Sequence, residues 1–226
     1  MPVSEGREVN PDLVKVRVIQ AYDSALVRLY CTLRFVIMNM RILEEVGQYI
    51  PEQGRVLDAG CGFGLFSLYF AALAPGRRLV SVDLSAPRIA SAKRAAERLG
   101  LLGQIDARVQ KVQDIDPGTN RFAAVYTLDL LHHLPPPDVQ PFLRALHNLL
   151  EPGGLLIVKD VSRHPTWKRW FTHLLDVLVS PDQPPNYVDE ADMKRILNAC
   201  GFDVKVHRML DILPYPHILY ICRKSA

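Results

Sequence analysis

The run Val56-Leu57-Asp58-Ala59-Gly60-Cys61-Gly62-Phe63-Gly64 constrains this chain more than any other stretch. An apolar segment ends in a carboxylate, glycines follow at every second position, and a helical pattern begins at Leu65. This order predicts a buried strand, a tight loop and a helix N-terminus. Glycine admits positive φ and lets a ligand approach bare backbone amides. The first turn of a helix receives negatively charged groups. Together they point to an adenosine-containing cofactor. Nicotinamide and flavin proteins favour G-x-G-x-x-G, whereas this chain has G-x-G-x-G. A phosphate loop is excluded, because no Gly-Lys-Ser/Thr follows.

A second strand over residues 79–82 closes on Asp83. A carboxylate at the end of the second strand of a βαβ unit can accept both hydroxyls of a ribose. A third apolar run, with its strand at about 106–112, leads into Gln113-Asp114-Ile115-Asp116, where Asp116-Pro117-Gly118 marks a turn. A fourth strand, 123–128, precedes Asp129-Leu130-Leu131-His132-His133-Leu134-Pro135, and a fifth, 155–161, follows the turn Leu150-Glu151-Pro152-Gly153-Gly154. Helical patterns alternate with them. One spans 65–73 and stops at Pro75-Gly76. Another starts at Ser85-Ala86-Pro87, where serine caps and proline is tolerated, and closes at Gly100. Further helices are predicted over 137–150 and 189–199, and further strands over 202–208 and 218–222. One or two helices are expected within 9–47.

Strands alternating with helices predict an α/β fold whose parallel sheet is covered on both faces. Ligands on such sheets bind beyond the carboxyl ends of the strands, where strand order reverses. Asp58, Asp83, Asp114 and Asp129 each fall at or just past a strand end, so four acids gather on one rim.

The succession LDAGCGFG, VSVDLS, QDID, LDLLHHLP and LEPGGLLIVKD resembles the class I S-adenosylmethionine-dependent methyltransferases. It is most similar to the small-molecule branch that includes the ubiquinone and menaquinone biosynthesis enzymes. The likeness covers residues 55–161 well and the rest in outline. It implies a doubly wound Rossmann-like sheet, mostly parallel with one antiparallel strand. It also implies a helical cap over residues 1–50 acting as a lid, and a methyltransferase domain over 51–226 with a helical insertion at about 162–188. The implied cofactor is S-adenosyl-L-methionine. Gly60, Cys61, Gly62 and Gly64 would cradle it, Asp58 would serve its methionine ammonium, and Asp83 its ribose. Leu84 would pack on the adenine face, with Asp114 accepting from the ring amine and the Ile115 amide donating to the ring, and Leu128 would also contact the cofactor.

Catalytic expectations fall on His133, Lys159 and Asp160. A histidine can serve as a general base because its pKa lies near neutrality; the alternative for Lys159 is an ion pair with Asp129 or Asp160. Acceptor contacts are expected from Tyr22, Asp129, His132, Trp167 and Tyr187. No metal site is expected, since adjacent histidines point in different directions.

The 226 residues fit one domain with an accessory segment. A net charge of +3 does not call for nucleic acid, and Leu128-Asp129-Leu130-Leu131 stands where nucleic-acid methyltransferases carry Asn/Asp-Pro-Pro-Tyr/Phe. Four scattered cysteines read as reduced thiols of a cytoplasmic protein. The polar start, residues 1–11, does not read as a signal peptide. Residues 25–43 are apolar but carry Arg28, Arg34, Asn39 and Arg41, a poor membrane span. They read either as a lid or as a helix lying on a membrane surface. Trp167, Trp170, Phe171, Leu174, Leu175 and Leu178 form an amphipathic stripe. These two apolar stretches favour a small, hydrophobic acceptor methylated at oxygen or carbon. The rival classes are a nucleic-acid methyltransferase and a cofactor-binding protein without turnover.

Overall fold

The computed structural model describes residues 9–162, 186–209 and 216–225. Three helices open the chain: α1 (Pro11–Gln20), α2 (Ala25–Ile37) and α3 (Met40–Gly47). Each has its own side-chain cap, from Asn10, Ser24 and Asn39. The polar caps that satisfy helix N-termini therefore divide into three what sequence periodicity reads as one or two helices. Then follow β1 (Gly54–Ala59), α4 (Leu65–Leu73), β2 (Arg77–Asp83), α5 (Ala86–Arg98), β3 (Ile105–Val109) and β4 (Phe122–Leu128). The chain continues through α6 (Pro136–Leu149), β5 (Leu150–Val161), α7 (Glu190–Ala199), β6 (Phe202–Arg208) and β7 (His217–Lys224). Ser85 caps α5 and Asp189 caps α7. The third strand is shorter than its apolar run: after Val109 the chain turns, and Val112–Asp114 forms one turn of 3-10 helix.

The strands form one sheet in the order β3-β2-β1-β4-β5-β7-β6. All neighbours are parallel except β7, which runs antiparallel to β5 and β6. The expected Rossmann-like sheet with one antiparallel strand is what the chain forms. Strand order reverses between β1 and β4, which places a crevice above their carboxyl ends.

Alternation along the strands sends successive side chains to opposite faces. Val56, Leu79, Tyr126 and Ile157 meet α1–α5, while Leu57, Val80, Val125 and Leu156 meet α6 and α7. The N-terminal helices share the first of these cores: Val18, Tyr22, Cys31, Phe35 and Met38 are buried in the same cluster as Leu68 and Phe70 of α4. The expected cap is thus continuous with the sheet domain's own packing. Residues 163–185 of the expected insertion, Trp167 and its apolar stripe among them, lie outside the described residues.

Arg77 ties this face together. Its buried guanidinium donates to the carbonyls of Pro51 (2.8 Å), Ile50 (3.0 Å) and Phe70. It thereby joins the start of β2 to the end of α4 and to the segment entering β1. Arg77→Ala leaves three carbonyls without their charged donor and should cost roughly 3 kcal/mol of stability, read as a lowered urea midpoint with an unchanged slope.

Candidate functional site

The crevice at the switch point is walled on one side by the turn after β1. Gly60 takes φ 82°, and a Cβ there would stand 2.6 Å from a Leu130 methyl, so only glycine lets the turn and the β4 loop approach this closely. Gly62, at φ 55°, faces open space. The amides of Gly60 and Cys61 both donate to the Val82 carbonyl, at 2.8 and 3.0 Å. Gly64 is the N-cap of α4. Arg88 and Leu128 also line the crevice.

Asp83 links the two loops. Its Oδ2 accepts from the Gly62 amide and its Oδ1 from the Ser85 amide, each at 2.9 Å. An ionised carboxylate offers about four lone-pair sites, so it can take further donors from the crevice it lines. Asp58 is almost fully buried at the base. Its Oδ2 accepts from Ser67 and from the Tyr126 hydroxyl (2.9 Å). Burial pushes its carboxyl up to about 7, against the opposing pull of those two donors.

Helix α2 forms the opposite wall with Tyr30, Arg34 and Ile37, beside Leu65 and Phe66 of α4. Behind it the Tyr22 hydroxyl donates to the Phe63 carbonyl at 2.9 Å, pinning the glycine turn to the N-terminal helices.

The rim beyond β4 is polar and crowded. Asp129 has φ 54°, the left-handed region that few residues other than glycine enter. Its amide donates to the Lys159 carbonyl at 2.8 Å. Its carboxylate lies between the Lys159 ammonium and Arg34, the latter at 2.8 Å. Burial alone would raise Asp129, but these two cations hold it well below the usual carboxylate range. Lys159 is fully buried, which lowers its pKa while Asp129 supports its charge. Nearby His217 is pushed down to about 2 by burial and by Lys159. The ring of His132 meets Asp160 through Nδ1, and Asp160 also accepts the amides of His132 (3.2 Å) and Val161 (2.8 Å). Tyr187 stacks on the His132 ring at 5.8 Å between centroids.

The structure therefore brings Asp58, Gly60, Cys61, Gly62, Asp83, Leu128, Asp129, His132 and His133 to one crevice. Asp160 stands behind His132. Lys159 has no exposed surface and is held in the ion pair with Asp129. Tyr22 is turned into the core, because its hydroxyl serves the turn. Leu84 is 67% exposed next to Asp83, Asp114 is exposed on its 3-10 turn, and Ile115 is buried in the second core. Arg34, Tyr30, Tyr126 and Ser67 escape sequence reading as site residues; the one available signal is a hydroxyl or charge interrupting an apolar segment. No cluster able to hold a metal ion is found among the described residues. No described helix is long and apolar enough to cross a membrane, and α2 presents Leu26, Leu29, Leu33 and Val36 outward.

Residues 32–206 match the profile of a family described as a methyltransferase domain. The ubiquinone biosynthesis O-methyltransferase of Rhodopseudomonas palustris (strain BisB18) is 36% identical over 145 residues, 57% of this chain and 54% of that protein. The chain spans about half the length of the curated relatives it matches. Among solved structures, magnesium protoporphyrin IX methyltransferase from Synechocystis PCC 6803 aligns with a TM-score of 0.68 at 19% identity, covering 95% of this chain and 94% of that one. The 1,6-didemethyltoxoflavin-N1-methyltransferase of Burkholderia thailandensis aligns at 0.63 and 20% identity, covering 100% and 94%. Both are likenesses of fold.

Replacing Asp129 by Asn removes the carboxylate that offsets the burial of Lys159, and should destabilise the protein by roughly 3–5 kcal/mol. Combining Asp129→Asn with Lys159→Met should recover part of that loss in urea denaturation, since it removes the fully buried ammonium, asparagine keeps the left-handed backbone, and Arg34, at the crevice wall, retains solvent contact.

Proposed function

Because the chain belongs to the methyltransferase domain family, we propose that it transfers a methyl group from S-adenosyl-L-methionine to a hydroxyl of a small, largely apolar acceptor. The observation that carries this reading is the joining of Asp83 to the Gly62 amide in one crevice with the His132–Asp160 pair. It sets a nucleoside cradle beside a proton acceptor. The relatives named as O-methyltransferases support the choice of oxygen.

The residues suit the cofactor. The turn at Gly62 opens on the crevice without a side chain, Asp83 retains acceptor sites for the ribose, and exposed Leu84 offers a flat apolar contact for adenine. The cofactor, when bound, supplies an activated methyl on a sulfonium, together with its own leaving group. The protein's work is then to position, to dry and to accept a proton. Tyr30, Ile37, Leu65 and Phe66 provide apolar walls that exclude water and hold an apolar acceptor.

Asp160 holds His132 through Nδ1 and orients the ring. The acceptor hydroxyl gives its proton to the His132–Asp160 pair as its oxygen takes the methyl. Tyr187, stacked on the ring, and Asp160 keep that imidazole in place. Lys159 acts through Asp129, whose strained backbone sets the start of the loop bearing both histidines. His133, next in line on the crevice wall, contacts the acceptor.

Two measurements test this. Asp83→Ala should weaken S-adenosylhomocysteine binding by about 1.5–3 kcal/mol, roughly 10- to 100-fold, in calorimetry; unchanged affinity would remove the ribose role. His132→Ala should lower kcat on a phenolic or other hydroxyl acceptor roughly 100- to 10,000-fold, with S-adenosylhomocysteine affinity intact. A larger loss in His133→Ala would move the proton to that residue, and methylation of amines alone would overturn the choice of oxygen.

A further inference from the structure

One polar rung crosses the apolar core beneath the glycine turn. Ser81 of β2, Asp58 of β1 and Tyr126 of β4 are register partners on three adjacent strands. Their side chains therefore leave the sheet on the same face. Helix α4 covers that face and adds Ser67. Both Ser67 and Tyr126 donate to Oδ2 of Asp58, and Ser81 donates to the Ser67 hydroxyl at 2.8 Å. All four residues are buried, with Ser67, Ser81 and Tyr126 having no exposed surface. Among the described residues no donor reaches Oδ1, although Asp58 lines the crevice.

Stability alone does not account for this rung. Buried polar groups gain little over well-packed apolar ones of the same shape, and a buried carboxylate is costly. The hydroxyls converge on one oxygen and leave the other toward the crevice.

We propose that Tyr126, Ser67 and Ser81 are positioning residues that hold Asp58 with Oδ1 facing the methionine ammonium of the cofactor. This rests on reading the crevice as the S-adenosylmethionine site. A pH dependence follows. Burial places the Asp58 carboxyl near neutrality in the free protein. The groups facing it are Asp83, whose charge raises it, the Tyr126 hydroxyl and the Cys61 thiol, both pushed well above their ordinary values and neutral. An arriving ammonium favours the carboxylate, so binding releases a proton at and below neutral pH and weakens as pH falls. Removing the Tyr126 hydroxyl removes a donor to the ionised form and moves that dependence to higher pH.

The test compares S-adenosylhomocysteine, which carries the ammonium, with 5′-methylthioadenosine, which lacks the amino-acid moiety, by calorimetry on the full chain between about pH 6 and 8. Tyr126→Phe should weaken S-adenosylhomocysteine roughly five- to tenfold at neutral pH, shift its pH profile upward and leave 5′-methylthioadenosine unchanged. Ser67→Ala should behave alike. The unchanged second ligand shows that the crevice is still folded. Equal loss of both ligands, or no loss of S-adenosylhomocysteine, overturns the positioning role. If neither ligand binds the wild type, the cofactor assignment itself fails. If Asp58→Asn keeps the preference for S-adenosylhomocysteine, the ammonium contact falls.

Discussion

The grip of Asp83 on the amide of Gly62 is the interaction on which the crevice depends. Two loops that leave neighbouring strands are joined there by a charge-assisted hydrogen bond, and the second oxygen of the same carboxylate fixes the start of α5 through Ser85. The Val82 carbonyl adds two amide bonds from the same turn. The turn is therefore held largely from β2, with one bond of its own from the Gly64 amide to the Cys61 carbonyl at 2.8 Å. This is why glycine can be used so freely in it: conformational freedom that would otherwise cost order is removed by partners outside the loop.

On the other side of the crevice, order comes from buried charge. Arg34 reaches from α2 to Asp129, and Lys159 reaches the same carboxylate from β5. Such a cluster is weak support for stability, because desolvation offsets most of the attraction. Its value is geometric. It holds Asp129 in a left-handed conformation, and the chain leaves Asp129 toward His132 and His133. The N-terminal helices are thus tied to the rim by an ion pair and to the glycine turn by the Tyr22 hydroxyl.

Much of this is legible in the sequence, for reasons that can be named. The Val56–Gly64 run, Asp83 and the Ser85 cap are local signals, in which neighbours along the chain decide the structure. The strand alternation predicts the parallel sheet for the same reason. What stays hidden depends on register and burial. Nothing near Ser81 or Tyr126 says that each lies across from Asp58, because that follows from strand pairing. Arg34 is one of several cations in an apolar helix, and only the helix's placement selects it for the crevice. Lys159 closes an apolar strand in a way that suggests either chemistry or an ion pair with Asp129 or Asp160, and only the strand pairing selects Asp129. The breaks at Ser24 and Asn39 were readable as caps but are masked by the continuous apolar content around them.

Helix α2 divides its circumference between two duties. Cys31 and Phe35 fill the interior, whereas Tyr30 and Ile37 look into the crevice. Under the proposed function, drift in acceptor preference can therefore proceed by exchanging the second pair while the first stays fixed. Arg34 carries both obligations most heavily, through its contact with Phe66 and its bond to Asp129, while Tyr30 also packs on the Phe63 ring. Under the proposed function, selection on the acceptor and selection on folding meet most tightly at Arg34, which makes it the slowest part of the wall to change.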